Sequence, residues 1–106
     1  MDEMELYRNF TLRKMIILRN MDEFWSCLKI LASYGHTWQD GNMADSPNNL
    51  MVENMRNVFV RGQEQYIRLG WYGGIVKGLV ERSAMQSYGY VYFSEIVSNK
   101  KLFTYL

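Results

Sequence analysis

The chain has 106 residues and a mass of 12.6 kDa, the size of one domain. Its residues are 48% hydrophobic and 15% aromatic with a single Pro, which excludes a disordered chain. A net charge of +1 excludes a polyanionic DNA mimic, and one Cys and one His exclude an intramolecular disulfide, Cys-pair zinc sites and multi-histidine metal sites.

No apolar run approaches the roughly 18 residues of a membrane span. The first residues carry Asp2, Glu3 and Glu5 rather than the positive region of a signal peptide, so the chain reads as intracellular. Charge is uneven along it: residues 1–53 hold eight acids and five bases, and residues 54–106 hold three acids and seven bases.

Residues 1–10 read as a loosely attached arm, which Tyr7 and Phe10 could pin to the body. Leu12 to Leu18, with Met15, Ile16, Ile17 and Leu18 in a row, suits a central strand covered on both faces. Asn20 with Glu23 three residues later resembles a capping box, and Asp22 and Glu23 suit the first turn of a helix. Phe24, Leu28, Leu31 and Ala32 then share one helical face, and Gly35 is placed to end the helix. The spacing predicts a helix over Met21 to Tyr34 that lies on the sheet.

His36 to Gln39 reads as a short strand and Asp40 to Asn49 as a loop. Asn57 to Arg61 and Gln65 to Leu69 read as a hairpin joined through Gly62-Gln63-Glu64. Glycines at 70, 73, 74 and 78 punctuate a strand to about Leu79, followed by a short helix over Glu81 to Ser87. Tyr90 to Phe93 is a strand by composition, and Ser94 to Val97 begins a helical turn. Leu102, Phe103, Tyr105 and Leu106 are too apolar for a free tail and should pack on this chain or on a second copy as a homodimer seam. The expected fold is α+β, in a single domain over residues 1–106. A four- to five-stranded, mostly antiparallel or mixed sheet carries one main helix on one face, with room for a second short one.

No catalytic constellation emerges. Cys27 sits mid-helix beside Leu28 and Phe24 rather than at a helix N-terminus, so it reads as a core residue, and His36 reads as a strand-edge residue. Asp40 and Asp45 lack the dense alternation of a calcium loop, and Gly70-Trp71-Tyr72-Gly73-Gly74 lacks the spacing of a phosphate loop. No metal site, cofactor or catalytic residue is assigned.

Tyr, Trp, Met and Arg are enriched at interface cores, and a domain this small cannot easily hide 8 Tyr, 8 Met and 3 Trp. Trp25, Trp71 and Tyr72, with Arg61 and Arg68, are the candidate anchors for a protein partner. The alternative is a single-stranded nucleic-acid binder using Tyr88, Tyr90 and Tyr92. Gln86 to Phe93 resembles the aromatic octapeptide of RNA-recognition-motif domains at Tyr88, Gly89, Tyr90, Val91 and Phe93. Gln86 and Ser87 depart from it, and Val58-Phe59-Val60 would be the partner strand.

A second resemblance spans residues 12–97. Phe24, Leu28, Leu31, Gly35, Trp38 and Gly41 share a pattern with Tyr66-Ile67-Arg68-Leu69, Tyr88-Gly89-Tyr90 and Phe93-Ser94-Glu95-Ile96. It is similar to a diffuse group of short phage and mobile-element proteins, some of which inhibit host defence. The stretches 41–57 and 70–78 depart from that pattern. The resemblance implies a phage-encoded, non-enzymatic protein in the bacterial host cytoplasm. Its partner would be a host protein such as a CRISPR effector or another defence nuclease, blocked stoichiometrically.

Overall fold

The computed structural model describes residues 3–12, 14–70, 73–80 and 89–98. The short helix expected at 81–87, the aromatics Trp71, Tyr72 and Tyr88, and the apolar tail lie outside these residues. The element order is α1 (Glu3–Thr11), β1 (Met15–Leu18), α2 (Met21–Ser33), α3 (Asn49–Val60), β2 (Gln65–Leu69), β3 (Ile75–Leu79), β4 (Tyr90–Tyr92) and α4 (Phe93–Ser98). The fold is α+β, with a four-stranded open sheet in the order β3-β2-β1-β4. β1 pairs antiparallel with β2 and parallel with β4, and β2 pairs antiparallel with β3. Among the described residues, no helix is long and apolar enough to cross a membrane.

The central-strand expectation holds for Met15–Leu18, whose four side chains are all fully buried. The strand begins three residues later than the apolar run because Leu12 closes α1, its N–H donating to the Arg8 carbonyl at 3.1 Å. α2 matches its prediction closely. Asn20 Oδ1 accepts from the Glu23 N–H at 2.9 Å, and Glu23 Oε1 accepts from the Arg19 N–H at 2.9 Å. The reciprocal cap thus reaches one residue further back than a simple capping box. Gly35 takes φ +83 and donates to the Ala32 carbonyl, ending the helix in the left-handed region.

Within the expected arm, residues 3–10 are docked on the body. Glu3–Thr11 form a helix whose Leu6 and Phe10, one turn apart, are completely buried. Burying two large apolar side chains stabilises the docked helix by about 3–6 kcal/mol, more than a flexible attachment would leave.

The hairpin expected from 57 to 69 exists only in its second half. Asn57 to Arg61, including the stretch Val58-Phe59-Val60, belongs to the end of α3 and its cap. Asn48 caps that helix, its side chain accepting the Met51 N–H at 2.8 Å. Met51, Met55 and Phe59 then follow at helical spacing and pack on the core, and this stripe outweighs the β-branched composition of the last turn.

The short strand at His36–Gln39 reduces to two bridges, Thr37 with Met43 and Trp38 with Ile75. Trp38 is buried, its indole N–H donating to the Ala44 carbonyl at 2.9 Å. The strand expected to about Leu79 is β3, which begins at Ile75, and just before it the Gly70 N–H donates to the Gly74 carbonyl at 2.8 Å. Gly74 has to be glycine, because a Cβ there would lie 2.8 Å from the Gln39 Cα. Phe93, expected as the last strand residue, is the first residue of α4.

All four described helices send their buried apolar side chains to one cluster: Leu6 and Phe10 of α1, Phe24, Leu28 and Leu31 of α2, Met55 of α3, and Phe93 and Ile96 of α4. The sheet meets them with Ile16, Leu18, Ile67, Ile75 and Val91.

Replacing Leu6 by Ala is expected to destabilise the fold by about 2–5 kcal/mol, measured by chemical denaturation. A change of only a few tenths would restore the picture of a loose arm.

Candidate functional site

The strand period of two decides what the other face of the sheet carries. Ile16 lies opposite Ile67 and Val91, and all three face the helices. Their strand neighbours therefore face the other way. Ile17 lies opposite both Tyr66 and Tyr92, and Tyr66 lies opposite Gly78. One strand step away, Met15 lies opposite Tyr90, and Arg68 lies opposite Val76. This second face carries three tyrosines and an arginine beside Met15 and Ile17, which are fully buried. None of these residues belongs to the helix-side cluster.

Tyr90 is the most open of the three at 48% exposure, and its ring meets that of Tyr92 edge-on with centroids 5.9 Å apart. The Tyr66 ring lies over Gly78, where a Cβ would come within 2.8 Å of three of its atoms. Glycine at 78 is thus what lets Tyr66 lie across β3. Arg68 donates from Nη1 to the Leu69 carbonyl at 2.9 Å, which turns its guanidinium toward the end of its own strand.

A polar cluster closes one end of this face. The Arg19 guanidinium sits 4.3 Å from the Tyr92 ring centroid and pairs through Nε with Glu64 Oε2 at 3.2 Å. The Tyr92 hydroxyl donates to Glu64 Oε1 at 3.5 Å. Burial, and then the neighbouring Glu64 carboxylate, raise the Tyr92 pKa against the opposing pull of Arg19. Tyr92 therefore keeps its proton at neutral pH. Both members of the Arg19–Glu64 pair are partly exposed, so the pair orients the ring more than it stabilises the fold. An open groove of about 440 Å³ runs on from Arg19 and Glu64 past Gly62, Gln63, Leu79 and Val80.

Charge divides by layer. The strands and the residues flanking them carry Lys14, Arg19, Arg68 and Lys77 against Glu64. The helices and the connection at 40–48 carry Glu5, Asp22, Glu23, Asp40, Asp45, Glu53 and Glu95 against Arg8, Lys29, Arg56 and Arg61. Among the described residues the helices and the 40–48 connection are thus net acidic and the strands with their flanks net basic, with Lys77, opposite Ile67, on the helix side.

Among the described residues, the proposed protein anchors Trp25, Arg61 and Arg68 lie on three different elements. Trp25 is half-buried on α2, packed against the core with its ring 5.2 Å from Phe24. Arg61 is exposed at the C-cap of α3, while Arg68 is on the tyrosine face of β2. Trp71 and Tyr72 lie outside the described residues. Of the nucleic-acid candidates, Tyr90 and Tyr92 are brought together and Tyr88 lies outside the described residues. Tyr66, Arg19 and Glu64 escaped sequence reasoning. Tyr66 was legible in the alternation of Gln65-Tyr66-Ile67-Arg68-Leu69, which sets Tyr66 and Arg68 against the apolar Ile67 and Leu69.

Cys27 and His36 sit in different surroundings. The Cys27 thiol is completely buried, and burial, reinforced by Glu23, pushes its pKa far up. The His36 ring packs instead against Tyr7 and Phe10. Among the described residues, no three His, Cys, Asp or Glu side chains are grouped to hold a metal. No family model matches the chain, and neither a curated protein nor a solved structure matches it.

The native protein is expected to resist thiol alkylation at pH 8, with Cys27 reacting at the normal rate only in denaturant. Fast labelling of the folded protein would contradict the burial of that thiol.

Proposed function

We propose that this chain is a non-enzymatic binding protein that holds single-stranded nucleic acid on the tyrosine face of its sheet. The observation that carries the reading is the convergence of Tyr66, Tyr90, Tyr92 and Arg68 on one face, with Arg19 at its edge. Unstacked bases lie well on aromatic rings, and each such contact contributes about 1–3 kcal/mol with little regard to sequence. Arginine guanidinium groups attract the phosphates between bases. The acidic helix layer repels a polyanion and leaves the sheet as the favoured approach.

A second reading keeps the protein-partner expectation: stoichiometric blocking of a host protein, such as a CRISPR effector or another defence nuclease. It draws on the resemblance to short phage proteins and on one structural feature. Val60 is 81% exposed and Leu50 74%, an unusual pair of apolar side chains on the outer surface of α3, with Arg61 beside Val60. That surface is on a different element from the tyrosine face, so variants separate the two readings.

Labelled single-stranded RNA and DNA oligonucleotides should bind at low salt, with affinity falling as salt rises. Tyr90→Ala should weaken binding roughly 5- to 150-fold, the equivalent of one stacked base, and Val60→Asp should leave it unchanged. Absence of binding to either polymer at low salt would end the nucleic-acid reading. A stoichiometric host protein lost with Val60→Asp and kept with Tyr90→Ala would establish the second.

A further inference from the structure

The lone histidine of the chain lies away from the tyrosine face, in a cluster of rings that joins α1 to the end of α2. Tyr7 stacks on Tyr34 with centroids 4.3 Å apart and an interplanar angle of 22°. The Tyr7 ring lies 5.3 Å from that of His36, and Phe10 meets His36 edge-on at 4.8 Å. The imidazole is anchored from below. Its backbone N–H donates to the Leu31 carbonyl at 3.2 Å, and its carbonyl accepts from the Ala44 N–H at 3.0 Å. His36 therefore belongs to the body of the domain, and the rings that cover it belong to α1.

His36 Nε2 is buried and has no hydrogen-bond partner. A neutral imidazole tolerates this site. An imidazolium would have to give up its water beside two rings with no acceptor for that N–H. The attraction of a cation for aromatic faces works in the opposite direction, but burial wins and lowers the pKa of His36 below its ordinary 6.5. Burial is the cause of the lowering; the charged groups on the neighbouring elements are Glu5 and Arg8 on α1 and Asp40 and Asp45 in the following loop.

We propose that α1 is an acid-sensitive latch, in which protonation of His36 weakens the hold of Tyr7 and Phe10 and so raises the fraction of molecules whose helix is open from the body of the domain. The docked state binds fewer protons than the undocked one, because undocking returns the imidazole to water. Docking is therefore at full strength above the ordinary histidine range. It weakens as pH falls through about 6.5 toward the lowered value of the docked state. Release uncovers Leu6, Phe10 and the core positions they fill. The latch stands on different residues from the proposed nucleic-acid surface and does not depend on it.

Hydrogen exchange of the α1 amides, corrected for the intrinsic pH dependence of exchange, tests the latch at pH 7.5 and 5.5. Protection of α1 should fall at the lower pH by up to about tenfold, the limit for a group tested one unit below its ordinary 6.5, while β1 stays protected. His36→Phe, which keeps a ring in place and cannot titrate, should abolish the difference. Unchanged α1 protection, or the same loss in His36→Phe, overturns the proposal. Proton NMR titration of the single histidine decides the matter even if that variant fails to fold. His36 should titrate below 6.5 in the native chain and move back toward 6.5 in Tyr7→Ala. A native value at or above 6.5 overturns the latch.

Discussion

The structure depends on β1. Four consecutive apolar residues, Met15 to Leu18, occupy an interior position of the sheet, bonded to β2 on one side and β4 on the other. Because successive side chains alternate, Ile16 and Leu18 enter the helix-side core while Met15 and Ile17 support the opposite face. A slip of one residue would exchange the two sets and place Tyr66, Tyr90 and Tyr92 against the helices. The register of this one strand thus determines both where the core forms and what the other surface displays.

Two layers of different character follow. On the helix side, apolar side chains from the four described helices pack on one face of the sheet, and among the described residues these helices and the 40–48 connection carry most of the acids. On the other side, tyrosines flank the buried Met15 and Ile17, and arginines supply the charge. Tyrosine suits such a position because its ring covers an apolar neighbour while its hydroxyl remains available to water or to a partner such as Glu64. The same property makes the face suitable for stacking a ligand. Gly78 leaves room for the Tyr66 ring at one end of this face, and the Arg19–Glu64 pair lies against Tyr92 at the other.

Much of the fold was legible in local chemistry. The cap at Asn20, the stripe from Phe24 to Leu31 and the stop at Gly35 define α2 almost to the residue, because each depends on neighbours within one or two turns. β1 was equally plain, since a short, wholly apolar run between polar flanks fits an interior strand. Misreadings came where composition opposed periodicity. Val58-Phe59-Val60 looks like a strand, yet it ends a helix that Asn48 caps and that Met51, Met55 and Phe59 fasten to the core. Leu6 and Phe10 likewise show a helical spacing that the acidic start of the chain obscured.

The candidate site divides the same way. The sequence alone determined a small α+β domain with a capped helix beside a buried strand, a surplus of tyrosine, and a single cysteine with no partner, all consequences of residue type and short-range spacing. Tertiary structure alone decided which tyrosines lie together. Tyr66 and Tyr92 are far apart in the chain and meet only because both lie opposite Ile17, and Arg19 reaches Glu64 and Tyr92 only when β1, β2 and β4 are in register. The same holds for His36, whose covering rings come from a helix that precedes the whole sheet. Pairing between distant strands and docking of a distant helix are set by the burial of the entire core, a quantity that no local window of residues contains.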